Sequence, residues 1–454
     1  MATAEQLEAL HSWLEAEGVL QEDGPARGSI EEGFGSCLSA GAAGTKPGDK
    51  LLAIPRRLHL TPSGARASAV GELLAGQPIL DDDEAMLALQ LLYELGRGEA
   101  SPWAKYVAAL PGADELDVPI LWDDVELELL KGSHLPGAVV QTRTMLSAQW
   151  EALAPVLATR PELFPPDTFC AQGYLWAHAT VLSRGLPFGD EISLIPLLDL
   201  ANHVAGAPNA CSIGMVKGEG DVVEVSEQWQ LEQLGGEPTA VLTAGEAHSP
   251  AQQVFIDYGE AGWRSSWEML FTYGFVPGES AEDWLASGGR PVCFAGVNST
   301  DALYPQKRAL MVALGCEEDA VDAMWLDVTS DAKQSAQMAP LLRLAHLSAD
   351  NAPELAATLS EWRAEPQPFW ESLQRPVAPQ NEAAVAEQVV AACRAALEPL
   401  PPVDEVAVKI KEGGARERLA AKVLLGERNA LETAITVWSA ALGVSEKKVI
   451  AAEA

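Results

Sequence analysis

Residues 194–210 end an apolar run with three side chains that could do chemistry. The segment reads LIPLLDLANHVAGAPNA and places Asp199, Asn202 and His203 within five positions. A carboxylate, an amide and an imidazole are costly to bury without partners, so they either satisfy one another and the backbone or hold a ligand. A metal site usually needs three or more protein ligands, and the seven histidines are isolated, without an HExxH pair. A structural cluster and a ligand site both stay open, and a metal site is disfavoured.

Glu32 and Phe34 lie in a second candidate motif, EEGFG, at residues 31–35. Two glycines beside an aromatic residue let the backbone pass close to a ligand and expose its N–H and C=O groups. An ordinary β-turn explains the motif equally well, because glycine also permits turn conformations. The motif alone therefore predicts a turn, and a ligand contact only in combination with other evidence.

Three further candidate residues, Tyr258, Tyr273 and Phe275, lie in VFIDYGEAGWRSSWEMLFTYGFV, residues 254–276. Tyr258 ends an apolar strand-like run, and Tyr273 and Phe275 follow a short helix-like stretch. Glycine after each tyrosine opens space beside the phenol. Aromatic residues at strand ends usually belong to the core, but apolar walls with a terminal hydroxyl also suit an alkyl chain that ends in an amine.

The elements that must position these residues follow from the hydrophobic patterns. Strands are predicted within residues 28–62 and again in ISLIPLL and QQVFIDYG, which flank a 50-residue connection that indicates hairpins or a mobile loop. Residues 81–180 are helical in pattern, beginning with DDDEAMLALQLLYELGRG, which has acidic residues at its start and glycine at its end. After residue 297 the pattern is helical again, with Leu424, Leu431 and Ile435 on one apolar face.

Composition excludes several classes of protein. The 454 residues include 48% apolar and 21% charged residues, which is typical of globular domains, and no apolar run approaches the length of a membrane span. The net charge of −35 argues against nucleic acid as the main partner and favours cationic ligands or basic protein tails, although it also explains solubility. The six cysteines are scattered without a CxxC motif, which favours reduced thiols over a zinc cluster.

The N-terminal sequence bears on the compartment. MATAEQLEALHSWLEAEG predicts an acidic amphipathic helix, whereas transit peptides are basic and secretory signals are apolar. We therefore expect an intracellular protein, in the cytoplasm or nucleus, or in the chloroplast stroma if a leader has been removed.

Four motifs occur in the order EEGFG, SRGLPFGDEISLIPLLDLANH, QQVFIDYG and WEMLFTYGFV, with a helical insertion between the first two. This order strongly resembles the SET-domain protein methyltransferases. It is most similar to the subgroup of the Rubisco large-subunit lysine methyltransferase, which also includes the actin-histidine methyltransferase. NEAAVAEQVVAACRAAL and LLGERNALETAI resemble the helical substrate-binding domain of that subgroup.

The resemblance implies an α+β fold. Residues 1–80 would form the N-terminal part of a SET domain, and residues 81–180 a helical insertion. Residues 181–285 would complete the SET β-fold with its pseudoknot and active site. Residues 297–454 would form an all-helical substrate-binding domain, that is, an all-α C-terminal domain.

The resemblance also implies roles for individual residues. Tyr258 matches the active-site tyrosine, Tyr273 and Phe275 match aromatics that line the lysine channel, and no metal is implied. Arg184 would pair with the carboxylate of the cofactor, S-adenosylmethionine, because a guanidinium suits bidentate pairing. The positions that match cofactor-contacting residues are Glu32, Phe34, Arg184, Asp199, Asn202 and His203.

Methyl transfer agrees with these residue types. A neutral amine attacks the methyl group of a sulfonium in line, so the enzyme mainly has to align the reactants, exclude water and tolerate positive charge. Burial lowers the pKa of the amine, and carbonyl oxygens make weak C–H···O contacts to an electron-poor methyl. A metal would be superfluous for this reaction.

We therefore expect an S-adenosylmethionine-dependent protein methyltransferase that modifies lysine in a non-histone protein, with no nucleic-acid or membrane partner. A histidine acceptor and a catalytically inactive SET-fold binding module stay open. The histidine acceptor stays open because the subgroup includes a histidine methyltransferase. Departures from the family pattern bear on the choice of substrate, and two of them, Ser265-Ser266 and the long connection after His203, motivate the binding module. Ser265-Ser266 stands where relatives often have Ser-Asn, and Ala251-Gln252 stands where Gly-Glu is usual. The long connection after His203 is a third departure.

Overall fold

The chain folds into two compact units in the computed structural model. The residues that the structure describes are 2–21, 24–204, 209–218, 222–224, 236–258, 264–317, 321–361 and 366–443. Unit 1 comprises Met1–Trp122, Val139–Arg264 and Phe271–Gly274. Unit 2 comprises Asp123–Ala138, Ser265–Leu270 and Phe275–Ala454.

The helices of the described chain alternate with short strands in its first part and dominate its second part. They are α1 (Ala4–Ala16), α2 (Pro62–Arg66), α3 (Ala69–Leu73), α4 (Asp83–Arg97), α5 (Ala104–Ala109), α6 (Asp124–Leu127), α7 (Leu135–Leu157), α8 (Ala171–Arg184), α9 (Ser266–Tyr273), α10 (Ala281–Ala286), α11 (Tyr304–Ala313), α12 (Ala332–Ser335), α13 (Ala339–His346), α14 (Pro353–Glu361), α15 (Pro366–Leu373), α16 (Pro379–Leu397), α17 (Val403–Glu412) and α18 (Ala415–Ala441).

The strands are short and form several small sheets. They are β1 (Ala26–Glu31), β2 (Gly35–Ala40), β3 (Lys50–Pro55), β4 (Leu186–Phe188), β5 (Glu191–Ser193), β6 (Asn202–His203), β7 (Ser212–Lys217), β8 (Val223–Glu224), β9 (Pro238–Thr243), β10 (Phe255–Ile256), β11 (Gly289–Ala295) and β12 (Ala323–Thr329).

Unit 1 holds most of the strands. β1 and β2 form an antiparallel hairpin, and β3, β9, β7 and β8 form an antiparallel four-stranded sheet in that order. β4 pairs with β5, and β6 runs parallel to β10. The antiparallel β7, β8 and β9 confirm the hairpins predicted after His203, and residues 205–208, 219–221 and 225–235 of that connection lie outside the described residues.

The predicted ISLIPLL strand is shorter than expected. It extends only through β5, followed by one bridge between Leu60 and Leu194. Pro196 lacks an N–H for a ladder hydrogen bond, and Leu197 has a φ of 68°, which no extended strand adopts. The chain instead makes a 3-10 turn at Leu198–Leu200. This turn places the polar residues that follow Leu200 at the end of the buried run.

The helices of unit 1 form where the capping residues predict them. Helix α4 begins after Asp82, whose side chain accepts from Ala85 N, and ends at Gly98, which has a φ of 53°. Its apolar face is fully buried in a core shared with α1 and α8. The capped helix predicted at DDDEAMLALQLLYELGRG is therefore confirmed. Burial of each such leucine contributes about 1.5–3 kcal/mol to the free energy of unfolding.

Unit 2 is mainly helical, as predicted, with one exception. The sequence predicted an all-helical region for residues 297–454, but β12 lies inside it and pairs antiparallel with β11. The short MWLDV run has the alternating burial of a strand. Met324 and Val328 lie on one face and are buried, whereas Trp325 lies on the other face and is exposed. The partner strand β11 lies before residue 297, so the pairing could not be read from that region alone.

Helix α18 organises unit 2 around a buried carboxylate. Leu424 and Leu431 lie in the core, which confirms the predicted apolar face. Glu427 is fully buried on the same helix, where it accepts hydrogen bonds from His134 Nδ1 and Arg290 Nη1, each at 3.0 Å. A buried carboxylate is stable only with such partners. This ion pair therefore holds α18 against β11 within the unit.

Candidate functional site

The parallel pairing of β6 with β10 positions the central residues of the site. Asn202 lies opposite Phe255, and His203 lies opposite Ile256. The pairing continues beyond β6, because Val204 N donates to Ile256 O at 3.0 Å. Two segments about fifty residues apart in sequence are thereby fixed side by side.

Asp199 is buried at the base of the site and carries an ion pair. Its Oδ2 accepts from the Tyr106 hydroxyl at 2.9 Å and lies 3.5 Å from Arg184 Nη1, which also donates to the Asp199 carbonyl at 3.1 Å. Burial raises the pKa of Asp199, and the Arg184 guanidinium opposes that shift. Among the described residues, Asp199 Oδ1 and Arg184 Nε have no hydrogen-bond partner. These two buried groups therefore remain available to a polar ligand.

Asn202 is joined to the β1–β2 turn by a chain of hydrogen bonds. Its Nδ2 donates to Gln253 Oε1 at 3.2 Å, and Gln253 Nε2 donates to Glu31 Oε2 at 2.6 Å. Glu31 is the last residue of β1, directly before Glu32. The structure thus brings the EEGFG motif and the DLANH motif together.

The turn itself exposes an aromatic ring. Phe34 is 52% exposed, and its ring meets Phe255 edge-on with centroids 5.8 Å apart. Gly33 and Gly35 adopt φ values of 87° and 73°, which explains why glycine occupies both positions. Glu32 is exposed at the same turn. An exposed ring beside Phe255 offers a surface for stacking or for apolar contact.

His203 serves as a neutral hydrogen-bond acceptor. Its Nδ1 accepts from Tyr258 N at 3.1 Å, and Asp257 Oδ1 lies 3.7 Å from the same nitrogen. Burial lowers the pKa of His203, and the Asp257 carboxylate opposes that shift. The backbone donor requires an unprotonated Nδ1, so the ring carries its hydrogen on Nε2.

Tyr258 contacts two aromatic rings, each tilted relative to its own. Its hydroxyl donates to Ala201 O at 3.0 Å, and its ring centroid lies 5.1 Å from His203 and 4.6 Å from Tyr273. Burial raises the pKa of Tyr258, so the phenol is neutral at physiological pH. The Arg264 guanidinium lies over Tyr273, 5.6 Å from its centroid. The glycine that follows Tyr258 lies outside the described residues.

The predicted residues fall into two groups. Tyr258, Tyr273 and the cofactor-contacting candidates all belong to unit 1, where the hydrogen bonds and ring contacts above connect most of them. Phe275 follows α9 and belongs to unit 2, where it is partly buried. The roles assigned to all these residues stay predictions.

Sequence reasoning missed Tyr106 and Gln253. Gln253 had a weak signal, because it is a polar residue directly before the apolar run of QQVFIDYG at residues 254–256. Tyr106 had none, since its partner Asp199 lies 93 positions away. Both residues supply hydrogen bonds to the predicted site, Gln253 from the start of the QQVFIDYG motif and Tyr106 from helix α5.

Unit 1 also contains a cavity of about 320 Å³ away from these residues. His59, Gln90, Glu94 and Trp103 contribute to its lining, and the predicted site residues do not. The buried Glu94 carboxylate is satisfied by Gln90, Arg97 and Ser101. The Glu94 carboxylate is therefore a structural group, and the volume of this cavity alone does not make it the candidate active site.

The described residues place no group of three or more His, Cys, Asp or Glu side chains where a metal ion could bind. Among the described helices, none combines the length and the apolar character of a membrane-spanning segment. The six cysteines, which all lie in the described part of the chain, form no disulfide with one another, and three of them, Cys37, Cys211 and Cys393, are buried.

Comparisons with known proteins agree with the geometry. Residues 298–431 match the Rubisco LSMT substrate-binding family. The chloroplastic ribulose-1,5 bisphosphate carboxylase/oxygenase large subunit N-methyltransferase of Pisum sativum is 26% identical over 420 residues, which cover 91% of this chain and 78% of that protein. The actin-histidine N-methyltransferase of Homo sapiens is 26% identical over 456 residues, covering 94% of this chain and 67% of that protein.

Solved structures show the fold. The SET domain of LSMT bound to lysine and AdoHcy has a TM-score of 0.78 with 21% identity, covering 97% of this chain and 92% of that one. Rubisco LSMT bound to AdoMet has a TM-score of 0.75 with 21% identity, covering 96% and 92%. The predicted α+β SET-domain fold with a helical C-terminal region is thereby confirmed.

Proposed function

We propose that this chain, which is an LSMT-like SET-domain protein, is an S-adenosylmethionine-dependent protein methyltransferase that modifies a lysine of a non-histone protein. The observation that carries the proposal is the position of Tyr258. Its hydroxyl donates a hydrogen bond to Ala201 O, directly before the Asn202–His203 strand, and its ring contacts the tilted Tyr273 ring. Tyr258 thus contacts both the candidate cofactor segment and a candidate channel residue, which supports the proposal. The lysine acceptor is proposed by analogy with the relative from Pisum sativum.

The residues present fit the cofactor. S-adenosylmethionine supplies a methyl group on a sulfonium, and it also carries a carboxylate, an ammonium and an adenine ring. Arg184 has a buried Nε that no described residue uses, which suits the carboxylate. Asn202 and His203 would hold the polar groups, with Asp199 orienting Arg184. Glu32 and the exposed Phe34 ring would lie on the other side of the site.

Tyr258 would orient the acceptor amine without removing a proton from it. Its only hydrogen is donated to Ala201 O, so the phenol oxygen presents lone pairs to the substrate. A neutral phenol with a raised pKa is a poor base at physiological pH. The Tyr273 ring would form an apolar wall, where desolvation lowers the pKa of the entering amine and excludes water.

A histidine acceptor is the second candidate. The actin-histidine N-methyltransferase of Homo sapiens has the same 26% identity as the relative from Pisum sativum. The family resemblance predicts Ser-Asn at the Ser265-Ser266 pair, and loss of that amide would change one wall of the acceptor channel. A SET-fold binding module without catalysis is the third, and the same experiment separates all three.

The test is transfer of labelled methyl from S-adenosylmethionine to proteins of a cell extract, followed by hydrolysis to identify the methylated amino acid. Tyr258→Phe should lower the transfer rate on the order of 100-fold, with the cofactor dissociation constant changed less than about threefold. Tyr174→Phe is the matched control, because this buried phenol donates to Gln149 and lies outside the site.

Each outcome supports or contradicts one part of the proposal. Label on lysine supports the proposal, and label on histidine replaces the lysine acceptor with histidine. Absence of transfer by a wild-type chain that binds the cofactor favours the binding module. Unchanged transfer by Tyr258→Phe contradicts the role of that phenol.

A further inference from the structure

One buried glutamine joins two elements that are far apart in sequence. Gln253 is 5% exposed, accepts from Asn202 Nδ2 through Oε1, and donates to Glu31 Oε2 through Nε2. A carboxylate only accepts, so Glu31 fixes which way the amide points. A bridge between Ser39 and Gln253 holds the backbone of this residue against β2.

The β1–β2 turn needs such a connection. Apart from Gly33 and its two chain neighbours, no described residue has a heavy atom within 4 Å of the position that a Cβ would take at Gly33. Both Gly33 and Gly35 adopt left-handed conformations. Glycine widens the conformations open to the turn and raises the entropy lost on ordering it. Within the turn, one backbone hydrogen bond from Phe34 N to Glu31 O, at 3.2 Å, closes the loop.

We propose that Gln253 is a positioning residue that clasps the β1–β2 turn to the Asn202 segment before the cofactor binds. The amide holds Glu31 on one side and Asn202 on the other, so the two halves of the proposed cofactor site are pre-arranged. This inference rests on the proposed function, because Glu32, Phe34 and Asn202 are its cofactor candidates. An order that exists before binding lowers the entropic cost of binding.

The discriminating variant is Gln253→Glu, which keeps the acceptor for Asn202 and loses the donor for Glu31. Two carboxylates then face each other at 31 and 253. At pH 7.5 we expect hydrogen exchange of the amides at 31–35 to accelerate about tenfold in the free protein. The dissociation constant for S-adenosylmethionine should rise about tenfold.

Two further measurements separate a clasp from a general loss of structure. Facing carboxylates bind a shared proton more readily, so both effects of Gln253→Glu should shrink as the pH is lowered to about 5. The reciprocal exchange Glu31→Gln with Gln253→Glu restores one amide and one carboxylate at the contact. It should return exchange and cofactor affinity to within about twofold of wild type.

The control uses a neighbouring position. Gln252→Glu makes the same change one residue earlier, where the side-chain oxygen only accepts from Ser249 N, so it should leave both measurements unchanged.

Glu31→Ala is a second test of the clasp from the other side. It alters an exposed residue that does not support the core, and it should reproduce the faster exchange of the turn.

The outcomes are distinct. Unchanged exchange in both Glu31→Ala and Gln253→Glu would overturn the clasp, as would a folded reciprocal variant that is not restored. If wild type binds no S-adenosylmethionine, the proposed function fails, and the exchange measurement still decides whether the clasp exists.

Discussion

At the scale of single residues, the buried Asp199–Arg184 pair depends on Tyr106. The Tyr106 hydroxyl and the Arg184 guanidinium both contact Asp199 Oδ2, whereas Oδ1 has no hydrogen-bond partner among the described residues. Hydrogen bonds to the ionised form oppose the effect of burial on the pKa of this carboxylate. Helix α5 of the helical insertion thus supplies the Tyr106 hydroxyl, which stabilises the ionised Asp199 carboxylate.

Tyr106→Phe should destabilise the protein in a pH-dependent way. Burial holds the native pKa of Asp199 above its ordinary value of 3.8, so native protein binds more protons than unfolded protein between these two pKa values. The contribution of Asp199 to stability therefore falls as the pH rises through that window. Without the phenol the native pKa rises further, so the loss should be about 1–3 kcal/mol at about pH 7 and smaller near about pH 4.

Urea denaturation at the two pH values measures this difference. Tyr174→Phe is the control, because its hydroxyl donates to the neutral Gln149 amide at 3.1 Å and should cost the same at both pH values. A loss from Tyr106→Phe that does not depend on pH would contradict the coupling to Asp199.

At the scale of elements, the turn before β10 carries a conformational strain. Ala251 has a φ of 62°, which is unfavourable for a residue with a Cβ, and it donates its N–H to Ala40 O at 3.0 Å. The family resemblance predicts Gly-Glu where this chain has Ala251-Gln252. The observed φ gives the physical reason for glycine at that position.

Ala251→Gly should therefore raise the free energy of unfolding by about 0.5–1 kcal/mol, because relief of the strained φ exceeds the added entropy of the unfolded chain. Ala42→Gly is the matched control. Ala42 is also exposed but has no positive φ, so its replacement should lower the free energy of unfolding by a similar amount. Thermal or urea denaturation measures both, and a destabilised Ala251→Gly variant would contradict this account of the turn.

The elements also show how far sequence alone predicts the site. The order of the motifs predicted that Asn202, His203 and Tyr258 belong together, and the parallel β6–β10 pairing brings them close to one another. The hydrogen bonds of Gln253 with Glu31 and of Tyr106 with Asp199 span 222 and 93 positions. Neither has a local pattern, because long-range hydrogen bonds are set by tertiary packing and not by periodicity.

At the scale of the whole molecule, the excess of acidic residues favours an acceptor on a positively charged protein segment. The chain carries 65 acidic and 30 basic residues, a net charge of −35. Such a field attracts cationic segments and repels nucleic acid phosphates, which agrees with a protein substrate that presents a basic side chain. Residues 298–431, which match the Rubisco LSMT substrate-binding family, lie in unit 2. The intracellular location stays a prediction.

The central claim is that the Asp199–His203 segment and the β1–β2 turn form a site for S-adenosylmethionine in unit 1. Calorimetric titration of the full chain with this cofactor at about pH 7.5 tests it most directly. We predict saturable heat with one site per chain, and affinity at least about tenfold weaker for Arg184→Met, which removes the guanidinium and retains an unbranched chain. The absence of binding by folded wild type up to high micromolar cofactor would contradict the claim.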